Sequence, residues 1–175
     1  IKTLISENKI ILFVSTKTQF KDLLKDFATQ LNFPYTTKRW LGGTFTNFDV
    51  IKKRIEYFKE LKKLKESEEF QKYTKKERAK IEKEIAKLEL KFGGIKDLER
   101  LPDAVFILDL EKSTLPAKEA KRKGIKVIAI ANTDADPSLA DYFIPANDNA
   151  ISSVKYILDK VKEVIEKTKS CQIKS

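Results

Sequence analysis

The chain has 175 residues, 36 of them Lys or Arg against 26 Asp or Glu, which leaves a formal net charge of +10. That length suits one domain with room for an appendage, and the 41% apolar fraction excludes a disordered chain. The absence of His removes the usual general base and the commonest metal ligand, and the single Cys171 excludes an internal disulfide or a cysteine zinc site. No apolar run approaches the roughly 20 residues of a membrane helix. Met is absent, position 1 included, so the chain reads as a fragment that begins inside an element, with no signal peptide at its start. The charge favours a polyanionic partner; a merely Lys-rich surface is the plainer alternative.

Taken in order, Ile1 to Asn8 reads as the tail of a helix, with Ile1, Leu4 and Ile5 on one face. Ile10 to Val14 is a continuous apolar run, the mark of a parallel strand buried on both sides. A helix follows from about Lys17 to Leu31, with Phe20, Leu23, Leu24, Phe27 and Leu31 on one stripe. Pro34-Tyr35-Thr36 predicts a short strand. Ala104 to Leu108 and Lys126 to Ala131 predict two more buried strands, separated by a basic helix at Lys118 to Lys123 that Gly124 ends. Asp136-Pro137 has the form of a helix cap with Pro in the first helical position. Tyr142-Phe143-Ile144 predicts the last strand. Asn147 to Lys167 predicts a final helix that turns Ile151, Val154, Ile157, Leu158, Val161 and Ile165 inward. This alternation is the signature of an α/β domain with a parallel sheet.

The stretch Lys52 to Lys91 breaks the rhythm. Its 40 residues hold 15 Lys or Arg against 9 Glu, and neither Gly nor Pro. Ile51, Ile55 and Phe58 step by four and three, and Ile81, Ile85, Leu88 and Phe92 do so again. Two helices joined around Ser67 to Thr74, and packed through one narrow apolar seam, explain both patterns. The expectation is a projecting αα-hairpin at residues 49–92, inserted between residues 1–48 and 93–175 of the α/β domain and adding little to the sheet's core.

The densest motif is Lys38-Arg39-Trp40-Leu41-Gly42-Gly43-Thr44-Phe45-Thr46-Asn47-Phe48. Glycines let a backbone turn and approach a partner closely. Lys38 and Arg39 offer charge to phosphate, while Thr44, Thr46 and Asn47 offer short hydrogen-bonding groups. Trp40 reads equally as core, since a large aromatic in a domain of this size is usually buried, and the two roles are compatible. Val14-Ser15-Thr16-Lys17-Thr18 is similar to a phosphate-binding turn but lacks the glycines of the common nucleotide fingerprints. It reads as a hydroxyl-rich cap or as an RNA contact through Lys17. Asp109, Asp134, Asp136 and Asp141 fall near the expected carboxyl ends of strands, where open α/β sheets bind ligands, so the alternative is a nucleotide- or small-molecule-binding α/β enzyme that uses them, as a magnesium-dependent hydrolase could. Against it, Asp136 has a capping task and no nucleophile stands beside a base. The hairpin's charges can be a solvated face with Lys–Glu pairs, but the excess of basic residues tips the reading towards phosphate.

Together these residues resemble protein two of the small ribosomal subunit, in its bacterial and organellar form. The resemblance runs through Ile11-Leu12-Phe13-Val14 with Thr16-Lys17, Arg39-Trp40-Leu41-Gly42-Gly43-Thr44 and Thr46-Asn47-Phe48. It continues through Phe92-Gly93-Gly94-Ile95-Lys96, Leu101-Pro102-Asp103-Ala104 and Lys118-Glu119-Ala120. It ends with Asp134, Asp136-Pro137, Asp141, Ile144-Pro145, Asn147-Asp148 and Ala150-Ile151. It implies a Rossmann-like parallel sheet flanked by helices, with an inserted antiparallel coiled-coil hairpin. It further implies a structural, non-catalytic role without cofactor or metal: binding small-subunit rRNA near the junction of head and body, supporting assembly and translation. The implied partners are that rRNA, neighbouring small-subunit proteins and the large mRNA-binding first protein of the small subunit, with no membrane and no homo-oligomer. The implied place is a ribosome, cytoplasmic or organellar. The expected RNA contacts are Lys17, Lys38, Arg39, Trp40, Gly42, Gly43, Thr44, Thr46, Asn47, Lys52, Lys53, Arg54 and Lys96. Two departures stand out. The family's opening His-containing segment has no counterpart here, and Ser15 stands where the family usually has Gly. The bacterial-type hairpin argues against the archaeal and eukaryotic branch.

Overall fold

In the computed structural model, which describes residues 1–173, five strands form one parallel sheet. They are β1 (Ile11–Val14), β2 (Tyr35–Thr36), β3 (Ala104–Ile107), β4 (Lys126–Ala131) and β5 (Tyr142–Pro145), in the spatial order β2-β1-β3-β4-β5. This is the doubly wound order in which the direction of strand addition switches between β1 and β3, all strands remaining parallel. Every residue of β1 and β3 is buried, as their continuous apolar runs require.

The period-two alternation of a strand divides the core in two. Leu12, Val14, Val105, Ile107, Val127 and Ala129 join a cluster on one face. Ile11, Phe13, Ala104, Phe106, Ile128 and Ile130 join another on the opposite face. The second face is covered by α1 (Lys2–Ser6), α2 (Lys21–Leu31) and α6 (Ile151–Ile173), which contribute Ile5, Leu24, Phe27, Leu31, Val154, Leu158, Val161 and Ile165. Helix α2 begins later than its periodicity predicts. Lys17 is extended and a 3₁₀ turn occupies Thr18–Phe20. Helix α6 also begins late, so Ile151, expected in the core, lies in its first turn and is exposed.

The first face receives α5 (Thr114–Arg122) and the lower ends of α3 (Phe48–Glu66) and α4 (Lys75–Phe92). Helices α3 and α4 pack on each other around a 3₁₀ turn at Glu68–Lys72. Ion pairs Lys62–Glu89 and Lys65–Glu82 (3.1 Å) set them running in opposite directions. Thr74 starts α4 with a capping box: its hydroxyl accepts from the Glu77 amide, and the Glu77 carboxylate accepts from the Thr74 amide. At 19 and 18 residues, the helices are about 27–29 Å long at the usual rise.

Of the expected apolar seam, Ile51, Ile55, Phe58, Ile85, Leu88 and Phe92 are buried, and Ile81 is half-buried against them. The expectation that it adds little to the sheet's core is overturned. The six buried residues lie in the same continuous cluster as Leu12, Val14, Trp40 and Phe45. The buried stripe of both helices is thus continuous with the core on this face of the sheet.

Candidate nucleic-acid interface

The loop after β2 is organised by one carboxylate. Glu119 sits on α5 between Ala117 and Ala120, which α5 buries against the sheet, and it is only 4% exposed. One of its oxygens accepts from the Gly43 amide at 2.8 Å and from the Trp40 indole N–H at 3.3 Å. The other accepts from the amides of Phe45 at 3.0 Å and Thr46 at 3.3 Å, and from the Thr46 hydroxyl at 3.4 Å. Burial alone would push this carboxyl up. The three amides and the indole outweigh it and hold the pKa below the ordinary glutamate value.

The same geometry explains the residue types in the loop. Gly43 has φ +92, a conformation costly for any residue with a Cβ. Its amide thereby faces Glu119. The Thr44 hydroxyl donates to the Leu41 carbonyl at 2.6 Å, closing the turn from inside. Trp40 meets Phe45 edge-on at a centroid distance of 4.8 Å, and both are buried.

The expected contact residues therefore separate. Lys38, Arg39, Gly42 and Asn47 are exposed; Gly43 and Thr46 are half-buried; Trp40 and Thr44 are buried. On the insertion, Lys52, Lys53 and Arg54 are exposed, as is Lys96 beyond it. A groove of about 410 Å³ runs between the loop and the base of α3 and α4, lined by Gly42, Gly43, Asn47, Arg54, Lys87 and Lys91, with Glu84 as its one carboxylate. In sequence, Lys87 and Lys91 look like the many other lysines of this stretch. Glu119 carries a sequence signal of its own, as a lone carboxylate on the alanine-bearing stripe of a basic helix.

Lys17 requires correction. It was expected to reach phosphate, but it is buried, and its ammonium donates to the Asp148 carbonyl and the Asn149 side-chain oxygen, both at 2.9 Å. The Asp148 carboxylate lies 3.3 Å away, fully buried. The anion expected at the Ser15–Lys17 turn is the protein's own. Asp109, after β3, accepts from the Ser15 hydroxyl at 2.6 Å, the Thr16 amide at 3.2 Å and the Lys17 amide at 3.4 Å, and also from Ser113. The crevice between β1 and β3, where such sheets hold ligands, is thus closed by internal hydrogen bonds.

The remaining aspartates do not converge. Asp136 accepts from the Ser138 amide at 2.9 Å as a cap. Asp141 precedes β5 and accepts from the Val127 amide at 2.8 Å, which puts it at the opposite end of the sheet from Asp109. Asp141 thus lies away from the carboxyl edge expected for it, because it precedes the strand Tyr142–Pro145. Among the described residues, no group of three or more acidic or Cys side chains is placed to hold a metal ion, and no helix is long and apolar enough to cross a membrane.

The class is that of a doubly wound parallel sheet flanked by helices, with a hydrogen-bonded, cation-bearing glycine loop after β2 and two charged helices before β3. The chain belongs to the Ribosomal protein S2 family, whose model matches residues 1–168. It is similar to the small ribosomal subunit protein uS2 of Roseiflexus sp. (strain RS-1), at 45% identity over 153 residues, covering 87% of this chain and 58% of that protein. It is 47% identical to uS2 of Fusobacterium nucleatum over 156 residues (89% and 63%). With uS2 of Cytophaga hutchinsonii the figure is 40% over 166 residues (95% and 65%). The chain therefore spans 58–65% of the length of these relatives.

Proposed function

We propose that the chain is a structural, non-catalytic constituent of the small ribosomal subunit, bound to small-subunit rRNA near the junction of head and body. What carries this reading, beside family membership, is the Glu119-held loop. Its amides are spent on a buried carboxylate, so its outward chemistry is the cation pair Lys38 and Arg39 with the Asn47 amide, a surface suited to phosphate. Arg54, Lys52 and Lys53 extend it along α3, and Lys96 adds a cation beyond α4. Trp40, Gly43, Thr44 and Thr46 shape the surface rather than donate to RNA.

In this reading residues 49–92 form an arm, wound as a coiled coil, that follows the phosphate backbone. Neighbouring small-subunit proteins, the mRNA-binding first protein among them, complete the set of partners, in a cytoplasmic or organellar ribosome. The test is incorporation. The double variant Lys38→Glu/Arg39→Glu, co-expressed with the wild-type protein, is expected to fall at least tenfold in occupancy of small subunits in sucrose-gradient fractions, with its thermal midpoint unchanged. Equal occupancy rejects the loop as the contact.

A further inference from the structure

A second concave surface lies on the far side of the loop, along the edge of β2. A groove of about 750 Å³ is bounded by Lys9, Lys25, Phe33, Tyr35, Gly94 and Lys96, a volume that falls within the usual range for sites enclosing a small group. It continues into a smaller depression lined by Lys21, Lys25, Tyr35, Lys38 and Lys91. Lys91 also lines the groove beside Gly42 and Gly43. One basic track thus runs from the glycine loop, past Lys91, into a pocket whose lining includes Phe33 and Tyr35; the Phe33 ring carries the Lys169 ammonium at 5.1 Å, which leaves Tyr35 as the ring to consider.

The charges along that track are free. Lys21, Lys25, Lys38, Lys91 and Lys96 make none of the ion pairs or side-chain hydrogen bonds among the described residues. Of the carboxylates on the wall, Glu89 is already paired with Lys62, leaving Asp97 as the other. Tyr35 is held closely by its neighbours. A Cβ at Gly94 would lie 2.2 Å from the Tyr35 carbonyl oxygen and 2.9 Å from its ring. Only glycine lets the 93–95 turn close on Tyr35. Phe33 packs on Phe13 at 5.5 Å. Tyr35 itself is half-buried, and its hydroxyl takes part in none of the hydrogen bonds among the described residues.

We infer that this groove binds a single-stranded segment of RNA, with a base stacked against Tyr35 and its flanking phosphates on Lys25, Lys21 and Lys91. A double helix presents its backbone to a surface and keeps its bases inside, whereas an unpaired strand offers a flat face to an aromatic ring between cations. The inference rests on the ribosomal reading above and adds to it the kind of RNA that this face takes. An acidic protein segment would use the lysines but has no need of the ring.

The test uses the purified 175-residue chain and fluorescence anisotropy with a 12-nucleotide RNA of mixed sequence, single-stranded or annealed to its complement. Tyr35→Ala is expected to weaken single-strand binding about tenfold, in line with the loss of one stacked base, and to leave duplex binding within twofold; Tyr35→Phe retains wild-type affinity. Lys21→Glu/Lys25→Glu, at the half-buried first residue and an exposed position of α2, supplies a variant outside the buried core should Tyr35→Ala fail to fold, and is expected to lower single-strand affinity by a similar factor and flatten its salt slope. A 4-thiouridine strand should crosslink to the peptide that contains Tyr35. Equal loss for single strand and duplex overturns the inference, as does full competition by polyglutamate with no effect of Tyr35→Ala. If the groove variants bind like wild type while Lys38→Glu/Arg39→Glu is still excluded from subunits, this inference alone falls and the ribosomal reading stands.

Discussion

Two turns follow adjacent strands at the same edge of the sheet, and each combines a lysine with a carboxylate that gathers backbone amides. After β1, Asp109 takes the Thr16 and Lys17 amides, and the Lys17 side chain is drawn inward to Asp148 and Asn149. After β2, Glu119 takes the Gly43, Phe45 and Thr46 amides, and Lys38 and Arg39 remain outside. The difference lies in a second carboxylate. Asp148 is buried within reach of Lys17, whereas none of the ion pairs among the described residues involves Lys38 or Arg39. A basic residue at a turn becomes a contact for polyanion only where the fold has not already supplied its counter-ion.

The sharpest way to break the comparison is Lys17→Met. It strands the Asp148 carboxylate without its cation, and removing one partner of a buried pair costs about 3–5 kcal/mol. Urea denaturation should show that loss, while RNA affinity of the folded fraction stays near wild type. A stable variant with weakened RNA binding would put Lys17 back among the contacts.

A smaller effect is expected at the other turn. Glu119→Gln keeps the shape but loses the charge that three amides and an indole share, which should destabilise by about 2 kcal/mol, as for hydrogen bonds to a charged group. The pH dependence has a definite sign. The folded carboxyl titrates below its unfolded value of roughly 4.3, so its stabilisation is present above that pH and is lost as the pH falls through the lower folded value. Trp40, the single Trp of the chain and a donor to Glu119, reports this directly. Its fluorescence should change at acid pH in the wild type and lack that step in Glu119→Gln. Identical profiles would mean that the loop is held by packing alone.

The smallest effect on stability is expected at the insertion's far end. Removal of residues 62–84 with a short Gly-Ser bridge spares Ile51, Ile55, Phe58, Ile85, Leu88 and Phe92. It should lower the thermal midpoint by only a few degrees while flattening the salt dependence of RNA binding, since fewer phosphates are neutralised. Excision from Lys53 to Lys91 takes four of those six residues out of the shared core and should unfold the domain.

Strands β1, β3 and β4 were legible because a parallel strand covered on both faces admits only apolar residues, and the 3.6-residue stripes of α2 to α4 were legible for the same reason of burial. The start of α6 was not, because the residues before it are set by where Asp148 must lie rather than by any periodicity of their own. In the site, the glycines and cations stood out as residue types. What the sequence could not display was the partner of each: that Lys17 points to a residue 131 positions later, or that one helix residue, 76 positions from Gly43, holds the loop. The core under α3 and α4 was missed in the same way, since a seam between two helices and a seam that continues onto a sheet have one pattern in a linear text.

The distance along the chain between Glu119 and its donors has a consequence for timing. Chains are made from the N-terminus, and domains generally fold as units in that order. The Trp40–Thr46 segment emerges before α3, α4, β3 and α5, and until Glu119 appears its amides have no such carboxylate to meet. While the chain is being made, its most cationic loop is a floppy peptide. It takes its working shape only after residue 119 has appeared and the sheet beneath has closed. The surface proposed here for phosphate is completed late, so a half-made chain does not yet carry it in its final shape.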